Sequence, residues 1–217
     1  MRGFLLRLRL HAQELHSLAN GPGVRAVAWF QGCSLGCPGC FDPLTHEPSG
    51  GFEADTAELA DRWLALGPSI EGVTISGGEP LEQPEALLDL LERLRPSGGS
   101  STRPPRLGVI LFSGFTRREI DAIPLGRRVI DPLAGLVDAA ILGRYVASRH
   151  VGRSLLGSAN QEITLLTTRY QLDDFQRIPL AEVRLGRDGT MAATGIAPIA
   201  WPRVRNVDDP KSPEVIP

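Results

Sequence analysis

The 217 residues carry 42% hydrophobic and 22% charged side chains and a formal net charge of −2. This composition suits a soluble globular protein with one sizeable core, and leaves little room for two independent domains. So small a charge gives no electrostatic ground for nucleic acid or an anionic membrane as a general partner.

The N-terminal run Gly3–Leu10 is apolar but interrupted by Arg7 and Arg9. It has no small-residue cleavage site and is far too short to span a bilayer, so it reads as a strand of a soluble, intracellular protein. Val24–Phe30 is a second strand that runs directly into Gln31-Gly32-Cys33. Asp55-Thr-Ala-Glu58 resembles a capping box, after which Leu59, Trp63 and Leu66 share one helix face. Ile70–Ile75 is the next strand and ends in Ser76-Gly-Gly-Glu-Pro80. Pro84 then opens a helix through Leu87, Leu88, Leu91 and Leu94, which Pro96 stops.

Residues 96–106, rich in Ser, Gly and Pro, read as a flexible surface loop inside a single domain of residues 1–197. A strand over Leu107–Phe112, short helices over Thr116–Ile123 and Arg127–Leu133, and strands over Val137–Leu142 and Glu162–Leu166 follow. A hairpin turning at Asp188-Gly189 joins Glu182–Leu185 to Thr190–Thr194, and residues 198–217 form a proline-rich tail. Repeated strand–loop–helix units predict a parallel sheet whose ligands bind beyond the C-terminal strand ends.

All three cysteines lie in the octapeptide Cys33-Ser-Leu-Gly-Cys37-Pro-Gly-Cys40. An odd number of thiols in one cluster argues against a secreted disulfide scaffold and for a reducing compartment. Closely spaced thiolates on a Gly/Pro loop point to a metal centre. Three thiolates leave one corner of a four-iron core open for chemistry, whereas His46 would complete a closed Cys3His zinc site; both readings stand on the cysteines alone. The second loop favours the first. Gly77 and Gly78 permit a close backbone approach, Glu79 offers a carboxylate acceptor for a ligand ammonium, and Pro80 stiffens the exit. Both loops sit at strand ends and converge on one site.

Asn20-Gly-Pro-Gly-Val-Arg25, the Cys-x3-Cys-x2-Cys loop and Gly77-Gly-Glu-Pro80, in this order and spacing, resemble the radical S-adenosylmethionine (SAM) superfamily. Within it the chain is similar to glycyl-radical-enzyme activating proteins, especially those of anaerobic ribonucleoside-triphosphate reductase. Pro38-Gly39-Cys40-Phe41, Phe112–Thr116, Val137–Tyr145 and Gly157–Gln161 are further, individually weaker likenesses, and together they cover about Leu8 to Thr194. Asp42 departs from the asparagine common at that position. The absence of further cysteines sets the chain apart from branches with auxiliary clusters. The part beyond about Tyr170 exceeds a minimal reductase activator, which leaves room for a different partner.

The resemblance implies an incomplete (β/α) barrel of the radical SAM type with a C-terminal β-hairpin. It implies a [4Fe-4S] cluster on Cys33, Cys37 and Cys40 whose free iron is chelated by SAM. Reductive cleavage of SAM would yield a 5′-deoxyadenosyl radical that takes hydrogen from a backbone glycine of a glycyl radical enzyme, with a flavodoxin- or ferredoxin-type donor supplying the electron in the cytoplasm. Gly77, Gly78 and Glu79 would hold the SAM amino end, and Phe41 would pack near the adenine. Ser113 would reach the ribose or carboxylate, and Arg144 would supply a cation to that carboxylate. Asn160 and Gln161 are candidates for the substrate side, and the four histidines read as structural or surface residues. Radical modification of a peptide or small molecule, and a non-catalytic metal-binding module, are the alternatives.

Overall fold

The computed structural model describes residues 6–95, 107–185 and 191–196. Seven strands form one mixed sheet in the order β3-β1-β2-β4-β5-β6-β9. Its centre is parallel: β2 (Arg25–Phe30), β4 (Gly72–Gly77), β5 (Gly108–Ser113) and β6 (Ala139–Leu142) all point the same way. Each link between them carries helix: α1 (Thr56–Ala65), α2 (Pro84–Leu94), then α3 (Arg117–Ala122) with α4 (Pro124–Val129). Because the order advances in one direction only, successive crossovers of one hand stack their helices on the same face. There Trp63, Leu87, Leu91, Ile120 and Val129 bury against Ala28, Val73, Ile75 and Leu111.

The helix boundaries have local causes. Asp55 caps α1 by accepting from the Ala57 and Glu58 amides, 2.9 and 3.0 Å, a simple cap rather than the expected box. The reciprocal box belongs to Thr116 and Glu119 at α3. Pro84 occupies the first turn of α2, as its missing N–H allows. The second short helix begins at Pro124 and ends at Val129, earlier than the sequence indicates.

The sheet edges depart from the all-parallel expectation. β1 (Arg7–Ser17) runs antiparallel to β2, because the short connection between them cannot hold a crossover. β3 (Phe52–Asp55) pairs antiparallel with β1, and β9 (Glu162–Leu165) antiparallel with β6. Between β6 and β9 lies a hairpin of β7 (His150–Arg153) and β8 (Leu156–Ser158), where Ser154 and Leu155 both take positive φ, 53° and 65°. Leu155 is 2% exposed and packs with Tyr170, Phe175 and Ile141 in a second core on the face opposite the helices. Burial thus holds a conformation that a branched side chain rarely adopts.

The C-terminal strands pair as expected: β10 (Ala181–Leu185) and β11 (Met191–Gly195) form a separate two-stranded sheet. Its Asp188-Gly189 turn, the 96–106 loop and the 198–217 tail lie outside the described residues. Polar side chains fasten the hairpin. Glu182 accepts from the Leu18 amide at 2.9 Å, Arg184 reaches Glu14 at 2.8 Å and the His16 carbonyl, and Asn20 donates to Thr194 at 3.0 Å. Among the described residues no helix is long and apolar enough to cross a membrane.

At the N-terminal end of β2, opposite the cysteine loop, Arg25 is fully buried. It donates to Thr74 Oγ1, Tyr170 Oη and the carbonyls of Pro22, Val73 and Gly108. One guanidinium therefore ties β2, β4 and β5 to the C-terminal segment, and its surroundings make that charge costly to leave unpaired. Arg25→Ala should lower stability by about 3–5 kcal/mol in urea unfolding followed by circular dichroism, with Arg25→Lys recovering less than half because an ammonium lacks the planar fork.

Candidate metal and cofactor site

Parallel alignment brings the C-terminal ends of β2, β4, β5 and β6 to one edge of the sheet, where their loops meet. The cysteine loop leaves β2 under tight backbone control. Gln31 N donates to Arg9 O, Gly32 N to Thr45 O and Cys33 N to His46 O, at 2.9, 2.7 and 3.1 Å. The buried Gln31 amide donates to the Leu44 and Glu47 carbonyls at 3.0 and 2.7 Å, closing the loop on itself. Gln83, just before α2, accepts from Arg9 N and donates to the carbonyls of Arg9 and Gln31. These two glutamines hold the base of the loop. Their signal in the sequence is no more than position beside a motif.

The second loop is locked onto the first. Gly78 N donates to Phe30 O and Glu79 N to Gly32 O, both at 2.8 Å. Glu82 accepts from the Ser34 amide at 3.0 and 3.1 Å and from its hydroxyl. Gly77 has φ +101°, and a methyl there would collide with the Phe30 backbone; one on Gly78 would collide with Gly32 O. The glycines are required because two strand ends pass at contact distance. The close approach expected of a ligand is made here by the chain itself.

A cavity of about 530 Å3 opens between these loops. Cys33, Cys37 and Cys40 line it together with Gly77, Gly78 and Ser113. Phe41 also lines it, half-exposed, its ring 4.6 Å from Tyr145 and 5.6 Å from His150. Trp29, Ser76 and Phe112, which share one face of β2, β4 and β5, line it too, as does Gln161, whose side-chain amide accepts from the Gly157 and Ser158 amides and donates to Gly143 O. Arg184 and Thr194 of the C-terminal hairpin close the side toward β1. Asn160 is exposed and donates to Arg144 O.

Two of the expected contacts are arranged differently. Glu79 is 0% exposed and its carboxylate turns away from the cavity. It accepts from the Leu81 amide at 3.0 Å, the Gly114 amide at 2.7 Å and the Ser113 hydroxyl at 2.9 and 3.1 Å. Both carboxylate oxygens thus already accept from the protein. Glu79 thereby joins the end of β4 to the end of β5. Arg144 is not among the cavity-lining residues. It pairs with Glu119 at 2.9 Å and lies 5.7 Å over the Phe115 ring, so it braces the start of α3. Hydrogen bonding from Arg144 holds the Glu119 carboxyl down to about 2.

The donor set fits a polynuclear core. Cys33, Cys37 and Cys40 are free and only half-buried, and they are presented around a cavity rather than folded onto one point. His46 lines the same cavity, yet among the described residues no three His, Cys, Asp or Glu side chains group closely enough to hold a single ion. Three thiolates on one loop, with no other thiol in the sequence, suit three corners of an iron–sulfur core. Burial pushes the Cys33 and Cys40 thiols up, so loading the site releases protons.

The 4Fe-4S single cluster domain family matches residues 19–164 of the chain. A pyruvate formate-lyase-activating enzyme of Clostridium pasteurianum is 43% identical over 94 residues, 42% of this chain and 40% of the relative. One from Listeria monocytogenes is 34% identical over 101 residues, 43% of this chain and 40% of the relative. The pyruvate formate-lyase 1-activating enzyme of Escherichia coli K12 is 28% identical over 166 residues, 75% of this chain and 61% of the relative. The chain thus spans about 40% of the length of the first two relatives.

Burial raises the Glu79 pKa to about 7, against the donors that favour its ionised form. The folded state then holds this proton more tightly than the unfolded chain, whose reference value is 4.5. The stability tied to Glu79 is full below pH 4.5 and is lost as pH rises through about 7. Denaturation from pH 4.5 to 8 should show wild type losing about 3 kcal/mol relative to Glu79→Gln. Gly78→Ala should displace the loop and lower iron retention after reconstitution, read by iron content per chain.

Proposed function

Since the chain belongs to the 4Fe-4S single cluster domain family, in the glycyl-radical-enzyme activating branch of the radical SAM superfamily, we propose that it is a SAM-dependent oxidoreductase that abstracts hydrogen from a glycine of a partner protein. The observation that carries this reading is the meeting of three half-exposed thiols with the Gly77-Gly78 loop around one cavity. When bound, a [4Fe-4S] cluster and SAM supply the reductive carbon–sulfur cleavage that starts hydrogen abstraction.

The chain's own residues bind, orient and enclose. Cys33, Cys37 and Cys40 hold the cluster, and the Gln31 and Gln83 amides fix the loop that carries them. Gly77, Gly78 and Ser113 line the part of the cavity that would take the SAM amino-acid end, and Phe41 offers its ring to the base. Glu79 serves this site as a positioning residue, holding Ser113 and Gly114 level with Gly78. Arg144 acts likewise through Glu119. Trp29 and Phe112 supply apolar walls that limit water where the hydrogen atom moves.

The one-directional order of the parallel strands, with helices on a single face, supports an incomplete (β/α) barrel in a single domain. The partner class follows from the relatives, which by name activate pyruvate formate-lyase, and from the likeness to reductase activators. Both targets are glycyl radical enzymes, so that shared class is the substrate we assign. A flavodoxin- or ferredoxin-type carrier supplies the electron. Free thiols confined to one site accord with the cytoplasm.

Anaerobically purified protein should be brown, hold about four irons per chain, and release 5′-deoxyadenosine when given SAM and dithionite. Each of Cys33→Ala, Cys37→Ala and Cys40→Ala should abolish both iron binding and release. With a partner whose glycine is deuterated at Cα, deuterium should appear in 5′-deoxyadenosine. A colourless protein with stoichiometric zinc and no SAM cleavage would sink the assignment.

A further inference from the structure

Resting on the radical SAM reading, we propose that the free edge of β11 binds the glycine-bearing segment of the partner protein as an added β-strand. The hairpin lies beyond residues 19–164, which the 4Fe-4S family matches, so the likeness to that family gives it no role. Its place beside the cysteines does.

The hydrogen-bond pattern leaves this edge open. Ile196 N donates to Leu180 O at 2.9 Å, and the register runs on from there through Ala181↔Gly195, Glu182↔Thr194 and Val183↔Ala193. Bonded pairs alternate in an antiparallel ladder, so Thr194 bonds with Glu182, whereas Ala193 and Gly195 turn their N–H and C=O away from β10. Among the described residues β11 pairs only with β10, and the Ala193 amide and carbonyl have no partner. Edge strands commonly refuse pairing by means of a charge or a proline. Met191-Ala-Ala-Thr-Gly195 carries neither.

The open edge bounds the cavity. Ala193, Thr194, Gly195 and Ile196 all line it with Cys33, Cys37 and Cys40, whereas among the described residues of β10 only Arg184 does. Neighbouring residues of a strand point to opposite faces, so a cavity lined by both Ala193 and Thr194 meets the edge of the strand and not one of its faces.

What such an edge takes is extended main chain. Backbone recognition suits a glycine, which offers no side chain to grip, and fixing the register of an added strand fixes the face to which each Cα hydrogen points. The surrounding surface calls for a protein in place of a free small molecule. Glu182, Arg184 and Thr194 reach back to residues 14–20. Val183, Leu185 and Met191, on the opposite face with Ala193, are 47%, 73% and 56% exposed. A folded protein presenting its segment to β11 would cover that apolar patch.

The test selects binders from a library of capped nonapeptides with a fixed central glycine and randomised flanks. Retained peptides are then labelled with fluorescein and measured against reconstituted full-length protein by anisotropy. Wild type should retain peptides, and N-methylating two alternate amides along one edge of a retained peptide should weaken it roughly tenfold or more, because two hydrogen bonds are lost. Methylating the intervening amides, which would face away from β11, should cost far less. Ala193→Pro removes an outward donor and keeps the ladder to β10, so it should lower affinity by a like factor at an unchanged melting temperature. Equal loss from both methylation patterns, or binding that ignores them, would overturn the proposal without recourse to any variant. So would failure to retain any peptide, or a concentration-dependent dimer that Ala193→Pro dissociates, which would give the edge to a second copy of the chain. Dithionite-driven SAM cleavage by wild type is read separately: its absence fells the radical SAM reading, and the anisotropy still decides the edge.

Discussion

A carboxylate excluded from water is costly unless donors surround it, and Glu79 is surrounded by donors from two loops. The need to satisfy it dictates how far apart the ends of β4 and β5 stand. If Ser113 or Gly114 moved outward, a buried carboxyl group would lose its partners, so the loop after β5 is fixed relative to Gly78. The glycine pair extends this constraint to β2, where contact with Phe30 and Gly32 admits no side chain. Three strand ends are thereby set against one another before any ligand arrives.

The cysteine loop obtains its order by another route. A metal site has to leave its thiols reachable, so these residues cannot be anchored by burial in an apolar core. Backbone hydrogen bonds to Thr45 and His46, together with two glutamine side chains and Glu82, do the anchoring from beneath. Cys33, Cys37 and Cys40 remain half-exposed above a rigid base. Preorganised ligands of this kind lose less freedom on binding a cluster than a floppy loop would.

Much of this was legible in the residues. Apolar runs located the four parallel strands, and the motifs at the ends of β2 and β4 announced where a site would lie. The second half of β1 was not legible, because Ala12–Leu15 are all half-buried, so no alternation of apolar and polar positions marks a strand there. The β7–β8 hairpin was hidden for a different reason: its turn uses Ser154 and Leu155 in a conformation normally signalled by Gly or Asn. Antiparallel edges depend on which strands end up adjacent, a long-range outcome that local patterns do not encode. The direction of the Glu79 side chain likewise depends on Ser113 and Gly114, more than thirty positions away.

The hairpin of β10 and β11 shares no backbone ladder with the main sheet, yet it closes one side of the cavity. Glu182, Arg184 and Thr194 fasten it to residues 14–20 by side-chain contacts. It is thus held by side chains on the second half of β1, whereas the cluster loop is held from Arg9 in the first half of the same strand. The molecule is built as a fixed reaction chamber with an exchangeable panel. Changes confined to the hairpin would reshape that wall of the cavity and leave the strand-end loops that carry the cysteines in place.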